Sequence, residues 1–226
     1  MIDLINRLIP NVLDLYPELL KALGDTLVMV SISFLITMLI GVPLGIVLMS
    51  TQNPGLYYNK TVYRVLSLII DVLRSTPTVI LITAISPLTK LLTGTKIGIK
   101  GAIVPLVAAS APFLARQVEA ALAKVDEGIV KAAKSTGDST LRIIAGVIIP
   151  ESYSAIILSL TITFVSLINF SAIAGTVGGG GLGDFALRYG YQQFKGDIMI
   201  VTIIILVLLV TIIQRLGKIL AAKISK

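Results

Sequence analysis

Residues Glu127 to Pro150 read EGIVKAAKSTGDSTLRIIAGVIIP, the longest charge-bearing segment of the chain, set between long apolar runs. Ahead of it Val118, Leu122, Val125, Ile129 and Ala133 recur at steps of three or four, which predicts one face of a helix. Lys124, Glu127, Lys131 and Lys134 fall off that face. Gly137 is expected to stop the helix with a left-handed turn, and Asp138 to cap a second short helix, Thr140 to Ile149, closed by Pro150. This gives helix, corner, helix. Ala132, Ala133, Ser135 and Gly137 lie at the tip, where small side chains let another backbone approach closely.

The chain around this island is built for lipid. Its 226 residues are 55% hydrophobic, with a mean hydropathy of +0.96, well beyond a soluble domain. The formal net charge of +7 is dispersed between apolar spans with no aromatic platform interleaved, so the basic residues face lipid headgroups and no nucleic-acid partner is expected. With no Cys and no His, thiol nucleophiles, imidazole bases and Cys/His zinc sites are excluded.

Residues 1–21 carry Asp3, Asp14 and Glu18 among apolar residues, with Pro10 and Pro17 interrupting, and read as an interfacial, partly helical lead-in. Residues 22–226 read as one transmembrane domain with five spans, its polar loop taken as 118–150. Span one, Thr26 to Met49, has no charge and is long enough for a hydrocarbon core; Gly41 and Gly45 offer a G-x-x-x-G contact around Pro43. Span two, about Val62 to Leu92, contains Asp71 and Arg74, three apart and expected to pair on one helix face, followed by Pro77. Span three covers about Gly101 to Leu114. Span four, Tyr153 to Ala174, carries a polar stripe in which Ser166, Asn169 and Ser171 are pathway candidates. Asn169 is costly in lipid and is expected to face a dimer interior. Asp197 is expected to cap span five, Ile198 to Ile213.

Between spans four and five lies GTVGGGGLG, Gly175 to Gly183. Gly178, Gly180 and Gly183 fit G-x-G-x-x-G, but no strand precedes them and no G-K-[ST] follows, so a nucleotide site is excluded and a tightly packed or flexible loop remains. Counting Lys and Arg on alternate sides places 11 with the Glu127 segment and the C-terminus and 7 with the N-terminus, Arg74 being left out. The positive-inside rule then puts the segment and the C-terminus in the cytoplasm and the N-terminus outside.

A-A-K-S-T-G, nine residues, then V-I-I-P resembles the signature loop of bacterial ABC importer permeases, through Ala132, Ala133, Gly137 and Pro150. Val147 and Ile149 stand in for the usual Ile and Leu, and Lys131 occupies the place of a Glu. With PFLARQVEAAL before the loop and GGGGLG after it, the chain is most similar to methionine importer permeases. The alternative reading of the loop alone is an ordinary connector, which also needs glycines, alanines and charges. The resemblance implies an all-α integral membrane protein of the bacterial inner (cell) membrane, homodimeric. Its loop is a cytoplasmic coupling helix that meets the ATPase through Val130, Lys131, Ala132, Ala133, Ser135, Gly137 and Pro150. It also implies two ATPase subunits that hold ATP and magnesium, an external substrate-binding protein, and a glycine loop with Gly178 and Gly180 at the outer gate. No cofactor and no catalytic or metal-ligating residue is expected in this chain. The competing function is an ion-gradient-driven secondary transporter or channel, which needs a coupling carboxylate at mid-membrane; Asp71 is its one candidate.

Overall fold

The computed structural model describes residues 9–52 and 56–224, and every regular element among them is helical. Asp3, Arg7, Lys226 and the centre of the turn after span one lie outside the described residues. Helix α1 is Pro10–Asp14 and α2 is Tyr16–Thr51. Pro17 falls in the first turn of α2, where its missing N–H costs nothing, so the stretch expected as a lead-in to residue 21 is already helical and runs into the first span.

The expected second span is broken into α3 (Lys60–Ser75), α4 (Thr78–Ala84) and α5 (Ser86–Thr93). Pro77 is the cause: it cannot donate to the helix ladder, and it takes φ −54° and ψ 131°, an extended geometry. Then come α6 (Gly98–Leu122), α7 (Glu127–Ser135) and α8 (Thr140–Ile143), a π-helical turn Ile144–Ile148, and α9 (Ile149–Glu151). The last elements are α10 (Tyr153–Thr176), α11 (Gly181–Phe185), a second π-helical turn Ala186–Tyr191, and α12 (Gly196–Ile224). Helices α2, α6, α10 and α12 are each long and apolar enough to cross a membrane, and the sharply bent pair α3 and α4 makes a fifth span when taken together. The five-span, all-α expectation is borne out in that form. Some hydroxyls inside these helices fold back onto carbonyls four residues earlier, as Thr26 does to Ala22 and Thr163 to Ser159, which satisfies those two without water.

Contacts divide the chain into two compact units. One comprises Met1–Leu35, Thr76–Ala108 and Phe164–Ile213. Its core holds Met29, Val30, Leu106, Leu167 and Ile168, with Phe34 and Phe164 edge to face at 4.9 Å, and a second cluster around Leu19, Leu182, Phe185 and Ile198. Asp197 does not cap its own helix. Its carboxylate accepts from the backbone N–H and side-chain amide of Asn11 at 3.0 and 3.1 Å, and so caps α1 instead.

The other unit comprises Ile36–Ser75, Ala109–Thr163 and Gln214–Lys226. Its core gathers Met49, Leu114, Val118, Leu122, Ile143 and Ile148, flanked by Leu48, Ile70 and Ala115. The G-x-x-x-G contact is present. A Cβ on Gly41 would stand 3.0 Å from the Ala111 carbonyl oxygen, and one on Gly45 2.7 Å from that of Ala115, so both glycines are what lets α2 lie against α6. Thr37 and Ser110 share a hydrogen bond of 2.6 Å in the same seam.

Candidate functional site: the helical loop and its supports

The loop Glu127 to Pro150 is a corner, but its first helix is not the continuous one predicted. Helix α6 ends at Leu122, and Asp126 starts α7 anew by accepting from the Gly128 N–H at 2.7 Å. The break resets the helical phase. Ile129, expected on the buried face, is 40% exposed, while Val130 and Ala133 turn inward and pack against the Leu122–Ile143–Ile148 cluster. The outward face is therefore Ile129, Lys131, Ala132 and Ser135, and of the two alanines only Ala132 is exposed. Ile129 was missed because a break in the ladder between two amphipathic helices leaves the three-to-four spacing of the sequence intact.

Gly137 takes φ +82°, the left-handed turn expected of it, with open space beside it. Asp138 is not the cap of the second helix: it pairs with Arg142 at 3.1 Å and accepts from Thr136 at 3.2 Å, and Ser139 takes the cap position. Lys131 pairs with Glu127 at 3.0 Å along the helix. Pro150 is exposed and lies two residues past the π-helical turn Ile144–Ile148, at whose end the Ile149 N–H reaches back five residues to the Ile144 carbonyl. A proline that cannot donate to the residue four before it is accommodated by this widened turn. An open cavity of about 250 Å³ undercuts α7, floored by Met49, Leu122 and Ile148 and rimmed by Glu127, Lys131 and Lys134.

The expected ion pair between Asp71 and Arg74 is replaced. Asp71 accepts from Arg116 instead, at 2.8 and 3.2 Å, and Arg116 also reaches Glu119 at 2.7 Å. A guanidinium facing across from another helix meets both carboxylate oxygens of Asp71, which the single-helix spacing to Arg74 does not offer. Glu119 is buried, and its charge was not singled out from the sequence.

Of the pathway candidates, Ser171 is buried with its hydroxyl donated to the Ile168 carbonyl at 2.7 Å, and Ser166 is half-buried. Asn169 is exposed, on one stripe of α10 with Thr176. The glycine run is closely packed. A Cβ on Gly179 would lie 2.7 Å from the Ala174 carbonyl oxygen, and Gly175 and Gly183 are equally confined by backbone. Gly178 and Gly180 have φ near +80° to +90°, and the Gly178 carbonyl accepts from the Gly98 N–H at 2.8 Å. The Leu182 N–H donates to the buried Thr26 hydroxyl at 2.8 Å, which ties the loop to α2.

Residues 41–226 match the family of binding-protein-dependent transport system inner membrane components. The probable D-methionine transport system permease protein MetI of Vibrio cholerae is 46% identical over 92% of this chain and 92% of its own length. The methionine import system permease protein MetP of Bacillus subtilis is 43% identical over 78% of this chain and 79% of its own. A solved structure of the MetNI methionine ABC transporter in an inward-facing conformation superposes with a TM-score of 0.92 at 34% identity, over 94% of this chain and 99% of that one.

Proposed function

Because this chain belongs to the family of binding-protein-dependent transport system inner membrane components, we propose that it is the permease subunit of an ATP-driven methionine importer. The observation that carries the reading is the joint match of fold and sequence to methionine transport permeases over almost the whole chain. It works as a homodimer with two ATPase subunits, which hold ATP and magnesium, and an external binding protein that delivers the ligand. It lies in the inner membrane with its C-terminus and loop in the cytoplasm and its N-terminus outside. Residues 22–226 act as one permease domain behind a short interfacial lead-in.

In this mechanism the exposed face of α7 is the lever. Ile129, Lys131, Ala132 and Ser135 seat in the ATPase, Gly137 sets the corner, and Val130, Ala133 and the segment up to Pro150 pass the displacement into the packed helices. Because α7 rests on the core through Val130 and Ala133, a push on its outer face moves the helices beneath it rather than bending the loop. Closure of the ATPase pair drives alternating access only if the two conformations bind it with different free energy. Asn169 and Ser166 face the path between the two copies, and Gly178 and Gly180 flank its outer gate; the exposure of an amide in the middle of an apolar span supports this. Asp71 is engaged by Arg116, which weighs against a gradient-driven carrier using it as the coupling carboxylate.

The test is uptake of labelled methionine by a host lacking its own importer and supplied with this chain, its ATPase and its binding protein. Uptake should survive an ionophore while ATP is maintained and stop when ATP is depleted. The reverse pattern supports the gradient-driven carrier.

A further inference from the structure

The unit formed by Met1–Leu35, Thr76–Ala108 and Phe164–Ile213 contains an open cavity of about 280 Å³ that takes no part in the coupling loop. Glu18, Lys21 and Asp25 reach it from one face of α2. None of the three has an ion pair or side-chain hydrogen bond among the described residues. The floor is formed by Ala22 and by the backbone of Gly180 and Gly181, both at φ +80°; a Cβ on Gly180 would meet nothing within 4 Å, so no side chain fills the space there. The remaining wall is the segment Asp184 to Tyr189. Arg188 is ion-paired to Asp184 and lies 5.9 Å from the Tyr189 ring centroid, and the Phe185 and Tyr189 rings stand 5.2 Å apart.

The cavity thus offers uncommitted charges of both signs beside an aromatic surface, in a volume near the lower end of small-molecule clefts, roughly 300 Å³. A simple anion would leave Glu18 and Asp25 unmatched. A metal ion finds no group of three ligating side chains among the described residues. We infer that this cavity binds a single zwitterionic α-amino acid with an apolar side chain. Its ammonium is taken by Asp25 and Glu18, its carboxylate by Lys21, and its side chain lies on the part-exposed Tyr189 ring, which the buried Phe185 ring supports from the core and which suits a thioether. The choice of ligand rests on the importer reading; the site itself would be a staging point within the permease, separate from the external binding protein.

The test uses the assembled permease and ATPase complex without binding protein, with L-methionine observed by saturation-transfer NMR. Methionine is expected to bind, and its decarboxylated amine and its deaminated acid to bind roughly tenfold more weakly or not at all. Lys21→Gln and Asp25→Asn should each weaken methionine roughly tenfold; both side chains are at or near the surface, so the fold is kept. Equal binding by the singly charged analogues, or unchanged binding in both variants, overturns the site. Absence of methionine binding in a preparation that still imports methionine once given its binding protein overturns the site alone. Absence of both binding and import overturns the importer reading and the site with it.

Discussion

The Arg116 guanidinium joins two carboxylates on different helices: Asp71 of α3 at 2.8 Å and Glu119 of α6 at 2.7 Å. The two contacts are unequal. The Glu119 side chain is 9% exposed and that of Asp71 56%, so removing Arg116 leaves one carboxylate buried without its cation and the other free to meet water or headgroups. Arg116→Ala should therefore lower stability by roughly 3–5 kcal/mol, whereas Asp71→Asn should cost about 1 kcal/mol or less. Arg74→Ala, at the last turn of α3, should be within about 0.5 kcal/mol of the parent. Thermal unfolding of the purified protein in detergent measures all three, and equal midpoints for the Arg116 and Arg74 variants would remove Arg116 from its place in the network.

The seam between α2 and α6 gives a second expectation. Gly45 faces the Ala115 carbonyl and the Val118 side chain so closely that a methyl group must push the helices apart, while Gly24 on the same helix has nothing within 4 Å. Gly45→Ala should destabilise by about 1–3 kcal/mol, and Gly24→Ala should stabilise by roughly 0.5–1 kcal/mol through helix propensity. If the two substitutions shift the unfolding midpoint alike, the close approach at Gly45 is wrong.

These two cases mark what the sequence makes legible. Long uncharged runs and the G-x-x-x-G spacing are local signals, and they yield the spans and the Gly41–Gly45 contact directly. The partner of Asp71 is not local: a three-residue spacing makes Arg74 available, and only the tertiary packing of α3 on α6 brings Arg116 closer. In the loop, Gly137 was readable because a left-handed turn needs a glycine. The phase of α7 was not, since Asp126 restarts the helix at a position where the apolar periodicity carries on undisturbed. The role of Asp197 was hidden for the same reason as that of Arg116, because its acceptor atoms are spent 186 residues away, on Asn11.

Orientation can be read by thiol labelling, since the chain has no native cysteine. Ser135 is exposed in the loop, and Lys96 is exposed between α5 and α6. Lys96 is a better site than its neighbour Thr95, whose hydroxyl oxygen accepts from the Ile97 N–H. In intact cells an impermeant maleimide should label Lys96→Cys and spare Ser135→Cys until the membrane is opened. Labelling of Ser135→Cys alone in intact cells reverses the proposed orientation.

The outward face of α7 provides the sharpest test of coupling. Ala133 is a poor probe because it packs inward, so a charge there damages the permease's own core as well as any contact beyond it. Ala132 and Ile129 point away from the core, and neither has a role in the packing beneath them. Ala132→Glu adds bulk and charge where a partner helix groove must close, and Ile129→Asp replaces an exposed apolar side chain that such a groove would cover. Gly137→Leu forces a side chain onto φ +82° at a cost of about 1–2 kcal/mol and re-aims the corner. All three proteins should insert and dimerise, yet co-purify with the ATPase poorly and lose most ligand-stimulated ATP hydrolysis. Lys134→Ala, on the solvated rim of the cavity beside α7, should remain near the parent in both measurements. If Ala132→Glu and Ile129→Asp assemble and hydrolyse ATP like the parent, the exposed face of α7 does not carry the coupling contact, and the stroke must enter the permease elsewhere.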